Sequence, residues 1–72
     1  METVLEKIRI GRLGKGYSQS YIAHLLDISQ KAYCDIERGN TKLSLKRFAE
    51  ISEVLEFQDE DILEMFSKIR AN

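Results

Sequence analysis

One short stretch of the chain, residues 26–39, carries several side chains that could form hydrogen bonds with a binding partner. It reads LDISQKAYCDIERG. In a helix, with about 100° between successive residues, its polar side chains lie on one face and its apolar side chains on the other. The polar face combines an amide, an ammonium, a thiol, a carboxylate and a guanidinium, from Gln30, Lys31, Cys34, Asp35 and Arg38.

These groups match the chemistry of base edges in double-stranded DNA. Glutamine can bond adenine twice, lysine donates to guanine acceptors, aspartate accepts from the cytosine amino group, and a small apolar group can touch a thymine methyl. An α-helix fits the major groove, and Ser29 with the free N–H groups at the helix start can hold a phosphate. A solvated surface helix without a partner would show the same two faces, so this pattern alone leaves both interpretations open.

Residues typical of turns divide the chain into five segments with helical periodicity, and no segment alternates apolar and polar residues. We therefore predict an all-α fold, a compact bundle of five helices. Hydroxyl side chains are the predicted N-caps of the first four helices, and the fifth begins near Gln58 or Asp59. The caps are Thr3, Ser18, Ser29 and Ser44. The expected core includes Val4, Leu5, Ile8, Leu13, Ile22, Ala23, Leu26, Ile28, Tyr33, Leu45, Phe48, Ile51 and Leu55.

Length and composition narrow the classes of protein. The 72 residues suffice for one small domain, predicted to span residues 1–72. One cysteine allows no internal disulfide, and with one histidine it makes a zinc site within one chain improbable, so we expect no metal, no cofactor and a cytoplasmic setting. No apolar run reaches the roughly 20 residues that span a bilayer, and the N-terminus does not resemble a signal peptide.

Charge is unevenly distributed along the chain. Residues 1–47 hold nine Lys/Arg against five Asp/Glu, whereas residues 48–72 hold two against seven. A basic N-terminal part and an acidic C-terminal part suit a protein that approaches a polyanion from one side, although charge also fluctuates along any chain.

No catalytic constellation is present. His24 has no plausible role in a triad and no second ligand at metal spacing, so we interpret it as a surface or half-buried side chain. The glycines of GRLGKG, residues 11–16, lack the preceding strand of a dinucleotide-binding motif. Cys34 could be a redox-sensitive thiol or simply a small side chain that fits its place. We predict that the chain is not an enzyme.

Residues 17–45, YSQSYIAHLLDISQKAYCDIERGNTKLSL, resemble the helix-turn-helix of the Cro/C1-type (XRE family) transcriptional regulators. The matching features are Gln19, Ala23, Ile28-Ser29, Ile36-Glu37-Arg38-Gly39 and Ser44-Leu45. The resemblance covers roughly residues 4–66 and implies a lambda-repressor-like DNA-binding domain with its helix-turn-helix at about residues 18–38. The sequence departs from the family pattern at Asp27, where glycine is usual, and at Leu43, where proline is frequent.

The resemblance also implies roles for individual residues. The base-reading positions are Gln30, Lys31 and Asp35, with Cys34 between them. The phosphate-binding positions are Gln19, Ser29, Arg38, Asn40, Thr41 and Lys42. Arg12 and Glu37 match a pair that forms a partly buried ion pair in many relatives and ties the first helix to the third.

The sequence therefore predicts a sequence-specific regulator of transcription, a repressor or activator that binds a palindromic operator on double-stranded DNA as a homodimer. Met65, Phe66 and Ile69 could all pack internally, but the fifth helix has more apolar surface than a core of this size needs, so its apolar stripe is the best candidate for a dimer interface. That stripe consists of Ile62, Met65, Phe66 and Ile69. The alternative is an antitoxin or accessory subunit whose acidic C-terminal helices bind a protein partner such as a toxin.

Overall fold

Five α-helices make up the structure, a computed structural model that describes the backbone of residues 3–71 and the side chains of residues 3–69. Their bounds are α1 Val4–Gly14, α2 Gln19–Leu25, α3 Gln30–Glu37, α4 Leu45–Leu55 and α5 Asp59–Ala71. Within residues 3–71 there is no strand, and the predicted all-α, five-helix fold is confirmed.

A hydroxyl side chain precedes each of the first four helices, as the sequence predicted. Oγ1 of Thr3 accepts a hydrogen bond from the N–H of Glu6 at 3.1 Å. Ser18, Ser29 and Ser44 accept from the N–H three residues further on, at 3.0–3.1 Å. Each cap satisfies a backbone donor that the first turn leaves unpaired, a contribution of typically about 1 kcal/mol.

Two non-glycine residues adopt the left-handed conformation, one in the turn between α2 and α3 and the other in the turn between α4 and α5. Asp27 has φ 58°, so aspartate adopts the conformation for which the family usually has glycine. Glu56, with φ 56°, ends α4 in the same way, a feature that its residue type did not indicate. Leu43, where the family often has proline, is half-buried and packs against the core.

The core draws on all five helices. Its buried apolar residues are Ile8, Ile22, Ala23, Leu26, Tyr33, Ile36, Phe48, Ile51, Leu55 and Met65. Complete burial of such a side chain typically stabilises a fold by about 1.5–3 kcal/mol. Because α3 packs against α1 and α2, its apolar face is covered and its polar face points to solvent.

Two expected core residues lie at the surface instead. Leu13 is 56% exposed, because Arg12 follows Ile8 by four residues and takes the inward position on α1. Leu45 is 48% exposed, because it begins α4 beside an open groove rather than beneath another helix.

The structure also corrects the expected dimer interface at one position. Met65 has no exposed surface, since α5 packs against α1 and α4 and Met65 lies on the packed face. It belongs to the core of the single chain and cannot form part of an exposed interface. Ile62 and Ile69 are half-buried, and Phe66 is 38% exposed.

Candidate nucleic-acid interface

The outward face of α3 presents three of the predicted base-reading residues: Gln30 and Lys31 in the first turn, and Asp35 one turn further on. Gln30 is exposed, and the Lys31 side chain is 86% exposed. Nζ of Lys31 lies 3.1 Å from Oδ2 of Asp35, one helical turn away. An exposed pair of this kind contributes little to stability, so both side chains can exchange partners at small cost.

Asp35 remains an ionised acceptor on this face. The hydrogen bond from Lys31 lowers the pKa of its carboxyl, and the side chain of Asn40 and the charge of Arg38 act in the same direction. Its backbone carbonyl accepts from the N–H of Asn40 at 2.8 Å, which closes the turn after α3. Asp35 thus connects the polar face of α3 with the loop that follows it.

Cys34 is turned toward the start of α2. Its Sγ is half-buried and donates to Oε1 of Gln19 at 3.0 Å. The thiol is therefore held by a neighbouring side chain instead of standing free between Lys31 and Asp35.

Most of the predicted phosphate-binding residues surround the C-terminal end of α3. Arg38, Asn40, Thr41 and Lys42 are all exposed. Within the described part of the chain, neither Arg38 nor Lys42 forms an ion pair. Gly39, at φ 79°, turns the chain out of the helix in a conformation that glycine adopts without strain. At the other end, the hydroxyl of Ser29 caps α3.

Gln19 lies further inside than its expected phosphate-binding role requires. Its Nε2 donates to Oε1 of Glu37 at 3.3 Å, while its Oε1 accepts from Cys34. The side-chain amide of Gln19 therefore links α2 to two residues of α3, Cys34 and Glu37. Its backbone N–H, in the first turn of α2, remains without a helical partner.

A buried ion pair fixes α3 to α1. Nε of Arg12 donates to Oε2 of Glu37 and a terminal guanidinium nitrogen donates to Oε1, each at 2.9 Å. The side chains are only 10% and 4% exposed. The remaining terminal nitrogen of Arg12 donates to the carbonyl of Tyr17 at 2.9 Å, and the hydroxyl of Tyr33 donates to Glu37. The structure thus brings together the two residues that the family resemblance paired.

The pKa values of this network favour its charged form. Burial tends to raise the pKa of Glu37, but hydrogen bonds from Arg12 and Tyr33 outweigh it and the net pKa is lowered. The hydrogen bond to Glu37 raises the pKa of Arg12. Burial, followed by the hydrogen bond to Glu37, raises the pKa of Tyr33. The carboxylate and guanidinium consequently stay ionised, and the tyrosine neutral, across the neutral pH range.

One exposed apolar residue on α5 was absent from the sequence-based interface. Leu63 is 70% exposed, more than any other large apolar side chain among residues 3–69. It lies three residues before Phe66 and so on a neighbouring part of the same helical surface. The helical repeat places Leu63 beside Phe66 and could have indicated its exposure. Leu63 nevertheless lies outside the predicted interface stripe, which included Met65 instead.

Among the described residues, no group of three or more His, Cys, Asp or Glu side chains is placed to hold a metal ion. None of the helices in the described part of the chain combines the length and hydropathy that a membrane span requires.

Comparison with known proteins agrees with this geometry. The family model described as Helix-turn-helix matches residues 8–62, which is more than half of the chain and includes the greater part of α1, all of α2 to α4 and the start of α5. No curated protein and no solved structure gives a significant match. The matched region contains the buried Arg12–Glu37 pair and the exposed face of α3. The chain belongs to the Cro/C1-type (XRE) helix-turn-helix family of DNA-binding regulators.

Proposed function

We propose that this chain binds a specific palindromic operator as a homodimer and controls transcription by occupying it. The observation that carries the proposal is the polar face of α3, which is exposed while the buried Arg12–Glu37 pair holds the helix from behind. A helix anchored in this way can enter the major groove as a rigid element. Its position on the DNA then blocks or recruits polymerase.

Base reading is assigned to Gln30, Lys31 and Asp35. Gln30 and Lys31 are exposed at the start of α3, the part of a recognition helix that reaches base edges. Asp35, kept ionised by Lys31, can accept from a cytosine amino group while Lys31 moves to a guanine. Cys34 supplies a small side chain between them, and its hydrogen bond to Gln19 orients it.

Phosphate binding is assigned to residues at both ends of the helix-turn-helix. Arg38 and Lys42 form no ion pair with any described carboxylate, and Asn40 and Thr41 add exposed donors. Ser29 and Gln19 contribute through the N-terminal turns of α3 and α2, where backbone N–H groups favour an anion.

A homodimer supplies the second half of the reading surface. One recognition helix contacts only a few base pairs, too few to select an operator among roughly 10⁶–10⁹ genomic sites. Two helices related by a two-fold axis enter successive major-groove faces about 34 Å apart. The interface is assigned to the exposed edge of α5 formed by Leu63 and Phe66, with Ile62 and Ile69 beside it.

The test is selection of bound sites from random duplex DNA with the purified chain. We expect a palindromic motif whose half-sites are centred about one helical turn apart. The doubly substituted variant Gln30→Ala/Lys31→Ala, selected from the same library, is expected to lose the motif but to keep weak binding. A selection that enriches no motif contradicts the proposal and favours a subunit that acts through protein contacts alone.

A further inference from the structure

A groove of about 400 Å³ opens between α4 and α5. Most of its wall is apolar, and no residue of α3 lines it. The apolar residues are Leu45, Phe48, Ala49, Phe57, Ile62 and Phe66. Sites that take up a partner are typically concave and mainly apolar, with a few polar groups that fix orientation.

One of those polar groups lies at the bottom of the groove. Ser52 is 4% exposed, and its Oγ has no hydrogen-bond partner. Buried hydroxyls nearly always have a partner, since leaving one unpaired is costly. The Oγ atom has almost no accessible surface, so a side-chain donor that enters the groove supplies the missing hydrogen bond once the serine side chain rotates to another staggered rotamer.

The charged residues that line the groove are both carboxylates. Glu53 forms no ion pair with any residue described, and Glu56 is paired with Lys15. The adjacent first turn of α5 adds three further carboxylates, Asp59, Glu60 and Asp61. The groove therefore offers an apolar wall with an acidic rim, which is complementary to a cation on an apolar stem.

We propose that this groove docks a basic amphipathic helix of a partner protein. Apolar side chains of that helix pack against Phe48 and Phe66, and a lysine or arginine lies beside Glu53 with a side-chain donor at Ser52. A second copy of this chain is a poorer occupant of the groove, because carboxylates of the two copies would face each other there, whereas the proposed dimer contact centres on the exposed Leu63 edge of α5.

Docking would also regulate DNA binding, a consequence that rests on the function proposed above. Ile62 and Phe66 line the groove and also belong to the proposed dimer interface. A helix bound there competes with the second copy, so the partner would release the chain from its operator.

The experiment is selection from a random peptide display library on the parent chain, with counter-selection on Ala49→Arg. Ala49 is exposed, so an arginine there preserves the fold while it fills the groove and offsets the charge of one carboxylate on its rim. We expect enriched peptides with apolar residues at helical spacing and Lys/Arg beside them. No enrichment after counter-selection, or enrichment of acidic peptides, would overturn the proposal.

Fluorescence anisotropy then measures the affinity of the most enriched peptide for two variants and a matched control, which shows where on the chain the peptide binds. Glu53→Lys and Ser52→Ala are each expected to weaken binding about tenfold. Glu6→Lys makes the same charge change on an exposed residue outside the groove, and it should leave the affinity nearly unchanged. Equal affinities of Glu53→Lys, Ser52→Ala and Glu6→Lys would overturn the assignment.

A structural role for Ser52 would show in stability, so the thermal midpoint of Ser52→Ala is measured alongside. It should equal or exceed that of the parent, because the substitution removes an unpaired buried hydroxyl. Operator binding of the peptide-free variants is assayed separately, which distinguishes a failure of groove docking from a failure of the proposed DNA function.

Discussion

Replacement of Glu37 by alanine is expected to remove a large share of the stability of this domain. The substitution takes away both hydrogen bonds to Arg12 and leaves a guanidinium that is 10% exposed without its counter-ion. Loss of one partner from a buried pair costs about 3–5 kcal/mol. A domain of 72 residues typically has a free energy of unfolding of about 4–11 kcal/mol. Glu37→Ala should therefore be partly unfolded at 25 °C or melt at a much lower temperature.

A double variant separates the unpaired charge from the loss of packing. Arg12→Met/Glu37→Met removes both charges and keeps most of the volume, so no uncompensated guanidinium stays buried. Such replacements are often neutral or stabilising by about 1–4 kcal/mol relative to the pair. Here the hydroxyl of Tyr33 loses its acceptor, which offsets part of that gain. We expect the double variant to be more stable than Glu37→Ala.

The pH dependence gives an independent measure of the same pair. Because the pKa of Glu37 is lowered in the folded chain, its contribution is fully present above the ordinary value of 4.5 and is lost as the pH falls through the folded pKa. The parent should therefore lose stability in acid more steeply than the double variant.

Urea unfolding followed by circular dichroism at 222 nm, at pH 7 and between pH 5 and 2.5, measures all three chains. A Glu37→Ala variant within about 1 kcal/mol of the parent, or a double variant no more stable than Glu37→Ala, would refute this reasoning about an uncompensated buried charge.

Further predictions concern DNA binding and assembly. Lys31→Ala should cost about 1–3 kcal/mol on the selected operator and little on random DNA in a gel-shift titration; equal losses on both would mean that Lys31 only meets phosphates. Lys42→Ala should weaken binding to all sequences and reduce the salt slope by about one unit, and an unchanged slope would place it away from the DNA. Phe66→Glu should dissociate the dimer in analytical ultracentrifugation with its helicity preserved, because Phe66 is 38% exposed. Met65→Lys should instead lose its helical circular dichroism signal, because Met65 has no exposed surface. A Phe66→Glu variant that still dimerises would place the interface elsewhere.

Features that depend on neighbours within a few residues were predictable from the sequence. The hydroxyl caps and the outward position of Gln30 and Lys31 follow from local hydrogen bonding and from the helical repeat. The family resemblance added the pairing of Arg12 with Glu37, which lie 25 residues apart and which periodicity alone could not have joined.

Only the tertiary structure decided which apolar residues are covered, because burial depends on how the helices pack across one another. Periodicity marks an apolar stripe, but its edges are covered or exposed according to the helix that lies against them. Leu45 and Leu13 are exposed for this reason, and Met65 is completely buried in the core. The same packing turned Gln19 toward Glu37 and left the Ser52 hydroxyl unpaired beneath an open groove, positions that no local pattern in the sequence encodes.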